Sequence, residues 1–319
     1  MSKSVLSAKH FHDEAAAYAW VEARVWPEGP VCPHCGGVER ISLMNGKSTR
    51  IGTYKCYQCR KPFTVKVGTV FEASHVPMHL WVQAMFLLTS SKKGISSNQL
   101  HRTLGVTLKT AWFMSHRIRE AMRAVGLAQM GGDGKVVEGD ETYFGKVENP
   151  QMSPQRKGRP YTKRGKTGPS GKRAVLALVE RGGHARSFHV SPVSKAEVTR
   201  LAHENIAKES RFHSDESRLY SGYGTYFASH ETVKHSHNEY VRGDVHSNTV
   251  ENYFSVFKRG MKGTYQHCAE KHVHRYLAEF DFRYNHRIAL GINDAIRLDN
   301  LVTGIVGKRL TYETTNQRV

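Results

Sequence analysis

Two close cysteine pairs, Cys32-Pro33-His34-Cys35 and Cys56-Tyr57-Gln58-Cys59, constrain the fold of this chain more than any other feature. A Cys-x-x-Cys turn aims two thiolates at one point, and two such turns complete the closed tetrahedral shell of a structural Zn²⁺ site. The 20 residues between Cys35 and Cys56 suit a zinc ribbon, with Arg40 to Lys55 supplying two strands and a turn. The stretch from Met1 runs into charged residues where a secretory signal would need an apolar core. A reducing cytosol is therefore expected, where thiols bind metal more often than they form disulfides. The fifth cysteine, Cys268, has no partner pair and is expected simply to pack.

Outside this module the chain is basic, with 47 Lys+Arg against 28 Asp+Glu, a formal charge of +19 over 319 residues. Such an excess favours a polyanionic partner, because each phosphate contact releases counterions. The longest apolar run, Val76 to Leu88, is interrupted by His79 and Gln83 and is too short to span a bilayer.

Periodicity predicts three bodies. Residues 1–74 hold a lead-in helix over Phe11 to Trp26, the ribbon, and a closing strand over Phe63 to Phe71, where apolar and polar residues alternate. Residues 75–130 are helical. A core helix over Met78 to Thr89 is followed by a serine-capped helix near Ser96 to Leu104, a turn at Gly105-Val106-Thr107, and a helix over Leu108 to Ala124. That is the layout of a helix-turn-helix, whose second helix would offer Lys109, Thr110, Trp112, His116 and Arg117 to a DNA groove. Residues 131–319 begin with a strand, Lys135 to Phe144. A stretch from 155 to 173 then carries eight Lys or Arg and no acid; it reads as a basic loop in which Arg156, Lys157, Lys163 and Arg164 would follow a phosphate backbone. Beyond it come a hairpin around Gly182-Gly183, a helix over Lys195 to Lys208, a short strand Ser210 to Ser214, a further strand within Glu231 to Tyr240, and helices over Asn248 to Met261 and Glu270 to Asn285. This order fits an α/β, RNase H-like mixed-sheet core preceded by a zinc ribbon and a helical DNA-binding region.

With so few acids, those near strand ends stand out. Asp140, Asp215 and Glu251 form a set that would hold two Mg²⁺ ions for in-line displacement at a phosphodiester. Spacing alone leaves competitors. Glu138 shares a strand face with Asp140, Glu141 lies on the opposite face, and Glu216 adjoins Asp215.

The runs Asp140-Glu141-Thr142-Tyr143-Phe144-Gly145, Ser214-Asp215-Glu216 and His246-Ser247-Asn248-Thr249-Val250-Glu251-Asn252-Tyr253-Phe254 resemble the catalytic domain of bacterial DDE insertion-sequence transposases. The similar group is the IS1595 family with its N-terminal zinc ribbon. Cys32 to Cys59, Gly68-Thr69-Val70-Phe71 and Glu279-Phe280-Asp281-Phe282-Arg283-Tyr284-Asn285 extend the resemblance over nearly the whole chain. It implies an enzyme with Asp140 and Asp215 as Mg²⁺ (or Mn²⁺) ligands and Glu251 as third acid, Asn248 sharing or taking that role. Lys258 would meet a terminal phosphate. It also implies cutting of transposon ends and joining of 3′-hydroxyls to target DNA. The partners would be double-stranded terminal repeats and target, gripped by a homodimer or larger assembly in the nucleoid-bearing cytoplasm. The pair Ala269-Glu270 departs from the serine-like helix cap expected there. Two other readings are a metal-dependent nuclease without strand transfer and a zinc-ribbon regulator whose acids are structural.

Overall fold

A computed structural model describes residues 4–148, 171–234, 239 and 241–311. Contacts divide the chain into one unit of residues 1–124 with 292–319 and a second of residues 125–291.

In the first unit, helix α1 (Glu14–Val25) starts at Asp13, whose carboxylate accepts from Ala16 N at 2.8 Å. Strands β1 (Ile41–Leu43), β2 (Tyr54–Cys56) and β3 (Pro62–Phe63) form a small antiparallel sheet in that order. The strand expected over Phe63 to Phe71 stops at Phe63. Beyond it Val67 N and Thr69 N donate back to Thr64 O and Lys66 O, and Gly68 takes φ +75°, so turns bury Val65, Val70 and Phe71 together. Alternation cannot distinguish that outcome from a pleat.

Helix α2 (Met78–Ser90) is buried along most of its length, including Trp81, Met85 and Leu88. Helices α3 (Ser97–Leu104) and α4 (Leu108–Met122) flank Gly105 at φ +67°, and Ser96 and Thr107 cap them by accepting from Gln99 N and Thr110 N. The helix-turn-helix layout is thus present, but α4 is not an open reading face along its length. His116 and Arg117 are buried, and Arg117 donates to Val70 O at 2.8 Å, Glu72 O at 2.7 Å and Leu310 O at 3.2 Å. The assignment of Arg117 and His116 to a DNA groove is therefore corrected: the guanidinium ties three segments of the first unit together.

The expected body of residues 131–319 also ends differently, because residues from 292 onward return to the first unit. Helix α8 (Asp294–Thr303) buries Leu298, Leu301 and Val302, pairs Asp299 with Arg24 at 2.6 Å, and donates from Arg297 to Thr89 O at 3.2 Å. At its end Gly304 approaches Ala121 O so closely that a Cβ would sit 2.7 Å from that oxygen.

The second unit is a three-layer body. Strands β4 (Val136–Phe144), β5 (Arg173–Glu180), β6 (Ala185–Val190), β7 (Arg211–Asp215) and β8 (Ser229–Val233) form one sheet in the order β6-β5-β4-β7-β8. The β6-β5-β4 part is antiparallel and β4-β7-β8 parallel, the mixed RNase H-like arrangement expected. On one face Val137, Leu178 and Phe212 pack against Val198, Leu201 and Ala202 of α5 (Lys195–Asn205). On the other, Val175, Ala177 and Val179 meet α6 (Asn248–Gly260) and α7 (Val273–Asn285). A short hairpin, β9 (Val241–Arg242) with β10 (Val245–His246), leads into α6.

The run Glu279 to Asn285 clamps α7 to the edge strand β6. Asp281 accepts from Ser187 N and Oγ and from Tyr253 Oη, while Asn285 bonds both polar groups of the Ala185 backbone. Ala269 indeed makes no cap; Glu148 supplies the missing acceptor, taking Glu270 N at 2.7 Å. Cys268 packs partly buried against the α6–α7 core.

Candidate active site

Two clusters among the described residues have metal-ligand chemistry: the four ribbon cysteines, and Asp140 with Glu141 and Asp215.

In the first, Cys32 Sγ lies 3.7 Å from Cys59 Sγ, and Cys35 Sγ 3.7 Å from Cys56 Sγ. A disulfide would need about 2.05 Å, whereas thiolates ~2.3 Å from a central Zn²⁺ in a tetrahedron stand about 3.8 Å apart. Backbone N–H groups of Cys59 and Gln58 point at the Cys56 sulfur and hold its thiol down to about 7, which favours the ligating thiolate. Trp26, Tyr54 and Phe63 pack around the knuckles. This donor set fits structural zinc, and a closed four-sulfur shell leaves no position for substrate.

The second cluster is built on adjacent parallel strands. The last register pair of β4 and β7 is Gly139 with Ser214, so Asp140 and Asp215 follow it side by side, about 4.8 Å being the usual strand spacing. Gly139 is needed there, since a Cβ would sit 2.5 Å from the Phe212 ring. Alternation turns Asp140 and Asp215 toward the α6 face. Glu141, one residue on, still brings an oxygen into the group; it accepts from Tyr220 Oη at 2.8 Å and from Ser217 Oγ at 3.5 Å. Asp215 in turn accepts from Ser217 N at 3.0 Å.

Burial first, then the negative charges of Asp215 and Glu141, push the Asp140 carboxyl up to about 8. Burial also raises Glu141, with the Tyr220 bond opposing it. Hard oxygen donors crowded this way are relieved by a divalent cation, so the residues fit the group that the sequence implied.

Glu251 is not drawn within ligand distance of this trio. It lies in the first turn of α6, exposed, accepting from Ser247 Oγ at 2.7 Å, yet its charge still contributes to the rise at Asp140. Asn248 and Lys258 are exposed on the same helix. Lys109 is exposed at the start of α4, and Thr110 there is hydrogen-bonded to Thr107. Arg156, Lys157, Lys163 and Arg164 lie outside the described residues.

Sequence reasoning missed what positions α6. Glu138, fully buried on β4, accepts from Thr249 N at 2.8 Å, Val250 N at 3.0 Å and Thr249 Oγ1 at 2.9 Å, serving as the helix cap that Ser247 does not provide. A carboxylate there also complements the helix dipole. Arg181 anchors it through Nε at 2.6 Å and donates onward to the ring nitrogens of His213 and His246. The signal was available only as an acid two residues before Asp140 on the same face. Its partners on α6 lie more than a hundred residues away.

No described helix is long and apolar enough to cross a membrane. Residues 131–285 match the family described as "ISXO2-like transposase domain", and residues 12–62 match "Transposase zinc-ribbon domain". An "uncharacterized protein in transposable element ISH50" from Halobacterium salinarum is 28% identical over 285 residues, covering 88% of this chain and 93% of that protein. Solved structures with similarity include the Mos1 strand transfer complex, at a TM-score of 0.28 and 14% identity over 69% of this chain and 73% of that one. A simian T-cell lymphotropic virus intasome gives 0.29 and 14%, over 58% of this chain and 63% of that chain.

Proposed function

The chain belongs to the IS1595 family of DDE transposases, and from that premise we propose that it cuts the ends of an insertion sequence and joins the freed 3′-hydroxyls to target DNA. In this reading Asp140 and Asp215 hold Mg²⁺ or Mn²⁺, Glu251 is the third acid with Asn248 as its competitor one turn earlier, and Glu141 is a further oxygen donor. When bound, two such ions activate the attacking oxygen and neutralise charge on the leaving one. The chain's own residues divide the remaining work. Asp140 gives up its proton as the cation arrives, Tyr220 orients Glu141, and Glu138 holds the α6 end that carries Asn248 and Glu251. Lys258 offers an ammonium to the DNA phosphate.

The observation that carries this reading is the pairing of Asp140 and Asp215 at aligned positions of parallel strands, with the Asp140 carboxyl pushed up to about 8. Zinc keeps the ribbon folded, and the ribbon with Lys109 and Thr110 of α4 addresses the terminal repeats. The basic stretch 155–173 adds sequence-independent grip. Bringing two ends together calls for a homodimer or larger assembly, acting in the cytoplasm where the nucleoid lies.

The test is a strand-transfer assay with pre-cut terminal-repeat duplexes and plasmid target in Mg²⁺ or Mn²⁺. Joined products are expected from the wild type and none from Asp140→Asn or Asp215→Asn, with DNA binding retained in both variants. Nicked ends without joining would leave a nuclease. Unaltered DNA function in both variants would leave a regulator.

A further inference from the structure

Helix α6 continues well past the turn that carries Glu251. Past Gly260 it widens into a π-turn, Met261–Tyr265, closed by Gln266 N donating to Met261 O at 2.8 Å, with Gln266 itself at φ +51°. A full π-helical turn and a positive φ on a residue other than glycine are each uncommon, and such departures persist where the surroundings use them. Here the turn forms one wall of a cavity of about 760 Å³, entirely within the second unit. The end of β4 at Phe144 to Lys146 and the start of β5 at Arg173 close the other sides.

Its lining has an unusual charge pattern. Lys146, Lys258 and Lys262 are exposed at it, His267 joins them, and none of its described lining residues is acidic. Arg173 is more than nine-tenths buried. Its Nη1 donates to Cys268 O, its Nη2 stands 3.9 Å from Glu148, and its Nε has no hydrogen-bond acceptor among the described residues. Like charges held together in one concavity repel, and an anion relieves them. The floor is apolar: Phe144, set edge-on to Phe257 at 5.1 Å, with Met261 beside it. A cationic rim over an apolar floor matches a phosphate joined to a flat ring. A duplex lying on the surface would use the rim alone, because its stacked bases cannot reach a recessed floor. An unpaired nucleotide uses both.

Position supports the same assignment. Lys258 follows Glu251 by seven residues of helix, about 10 Å at 1.5 Å per residue. Phe144 follows Asp140 by four residues of strand, about 13 Å. The cavity is therefore close to a phosphate held between Asp140 and Asp215, but separate from it. We propose that it is a subsite for one unpaired nucleotide of the strand flanking the scissile phosphate, with the phosphate on Lys146, Lys262 and Arg173 and the base against Phe144 and Met261. This rests on the transposase reading above.

The test uses the full-length zinc-loaded protein in Ca²⁺ and fluorescence anisotropy with three probes: blunt duplexes of the terminal repeat that flanks the reading frame, the same duplexes with a three-nucleotide single-stranded extension, and the extension made abasic. In the wild type the extension should tighten binding about tenfold, and removing its bases should lose most of that gain. The ratio of extended to blunt affinity should fall to about one in the Lys146→Gln/Lys262→Gln variant. It should fall severalfold in Phe144→Leu, which keeps an apolar core residue. Equal binding of extended and blunt probes by the wild type overturns the proposal. So does an abasic extension as tight as the normal one, or an unchanged ratio in both variants. Cleavage of the same probes in Mn²⁺ is scored in parallel. Loss of cleavage with the ratio intact sinks the transposase reading alone, and the converse sinks the pocket alone.

Discussion

Replacing Asp140 by Asn should make the metal-free protein more stable while abolishing its chemistry, and the size of that gain should depend on pH. In the folded chain burial and the neighbouring carboxylates lift the Asp140 carboxyl from 3.8 to about 8. Between those values the unfolded state has lost this proton and the folded state keeps it, so wild-type stability falls as pH rises from about 4 to about 8. The fixed-environment ceiling is ~6 kcal/mol at pH 8, at 1.36 kcal/mol per tenfold change. Because the charges of Asp215 and Glu141 couple to this carboxyl and water enters the site, about 2 kcal/mol is the working expectation. Asn is close to isosteric and has no charge to desolvate, so Asp140→Asn should raise Tm by about 4–8 °C at pH 8 in EDTA. The gain should shrink markedly by pH 5. Adding Mn²⁺ should raise the wild-type Tm and leave the variant nearly unmoved. Thermal unfolding at pH 5 and 8, with and without Mn²⁺, measures all of this. A variant less stable than wild type in EDTA at pH 8, or a difference that does not change with pH, would refute the reasoning.

Three further outcomes are expected. Cys56→Ser should release zinc, measured with a chromogenic chelator, and cost the ribbon its fold and DNA end recognition, while isothermal Mn²⁺ titration at the acids of the full chain stays intact. Glu138→Ala removes the carboxylate paired with the half-buried Arg181 and leaves the first turn of α6 uncapped; stability should drop by about 2–3 kcal/mol in denaturant unfolding. Two of the basic residues of α4, Arg117 and Lys109, should separate cleanly. Arg117→Ala should lower stability by about 3 kcal/mol and leave the salt dependence of DNA binding unchanged, whereas Lys109→Ala should leave stability within about 0.5 kcal/mol and reduce the salt slope by about one.

Features written in local patterns were legible from the sequence. Two Cys-x-x-Cys turns converge because each is a short, stereotyped bend. The β5–β6 hairpin was marked by Gly182-Gly183, and α2 by an apolar run of helical length. What failed depended on distant partners. Arg117 looked like a groove-facing cation because nothing nearby in sequence says that Val70, Glu72 and Leu310 will surround it with carbonyls. Glu141 was assigned to the opposite strand face from Asp140, yet one of its oxygens joins the acidic group at the strand's end. Glu138 was weighed only as a rival ligand, since capping a helix that starts at Asn248 leaves no mark two residues from Asp140.

The return of the chain after residue 291 has a consequence for synthesis. Residues 125–291 interrupt the first unit, and α8 supplies Leu298, Leu301 and Val302 to it only at the end. The ribosome therefore delivers the complete second unit before the first can close. A chain that terminates early retains cysteine knuckles but lacks part of the first unit's interior, so incomplete translation products are poorly equipped to compete with the finished protein for the ends of the element.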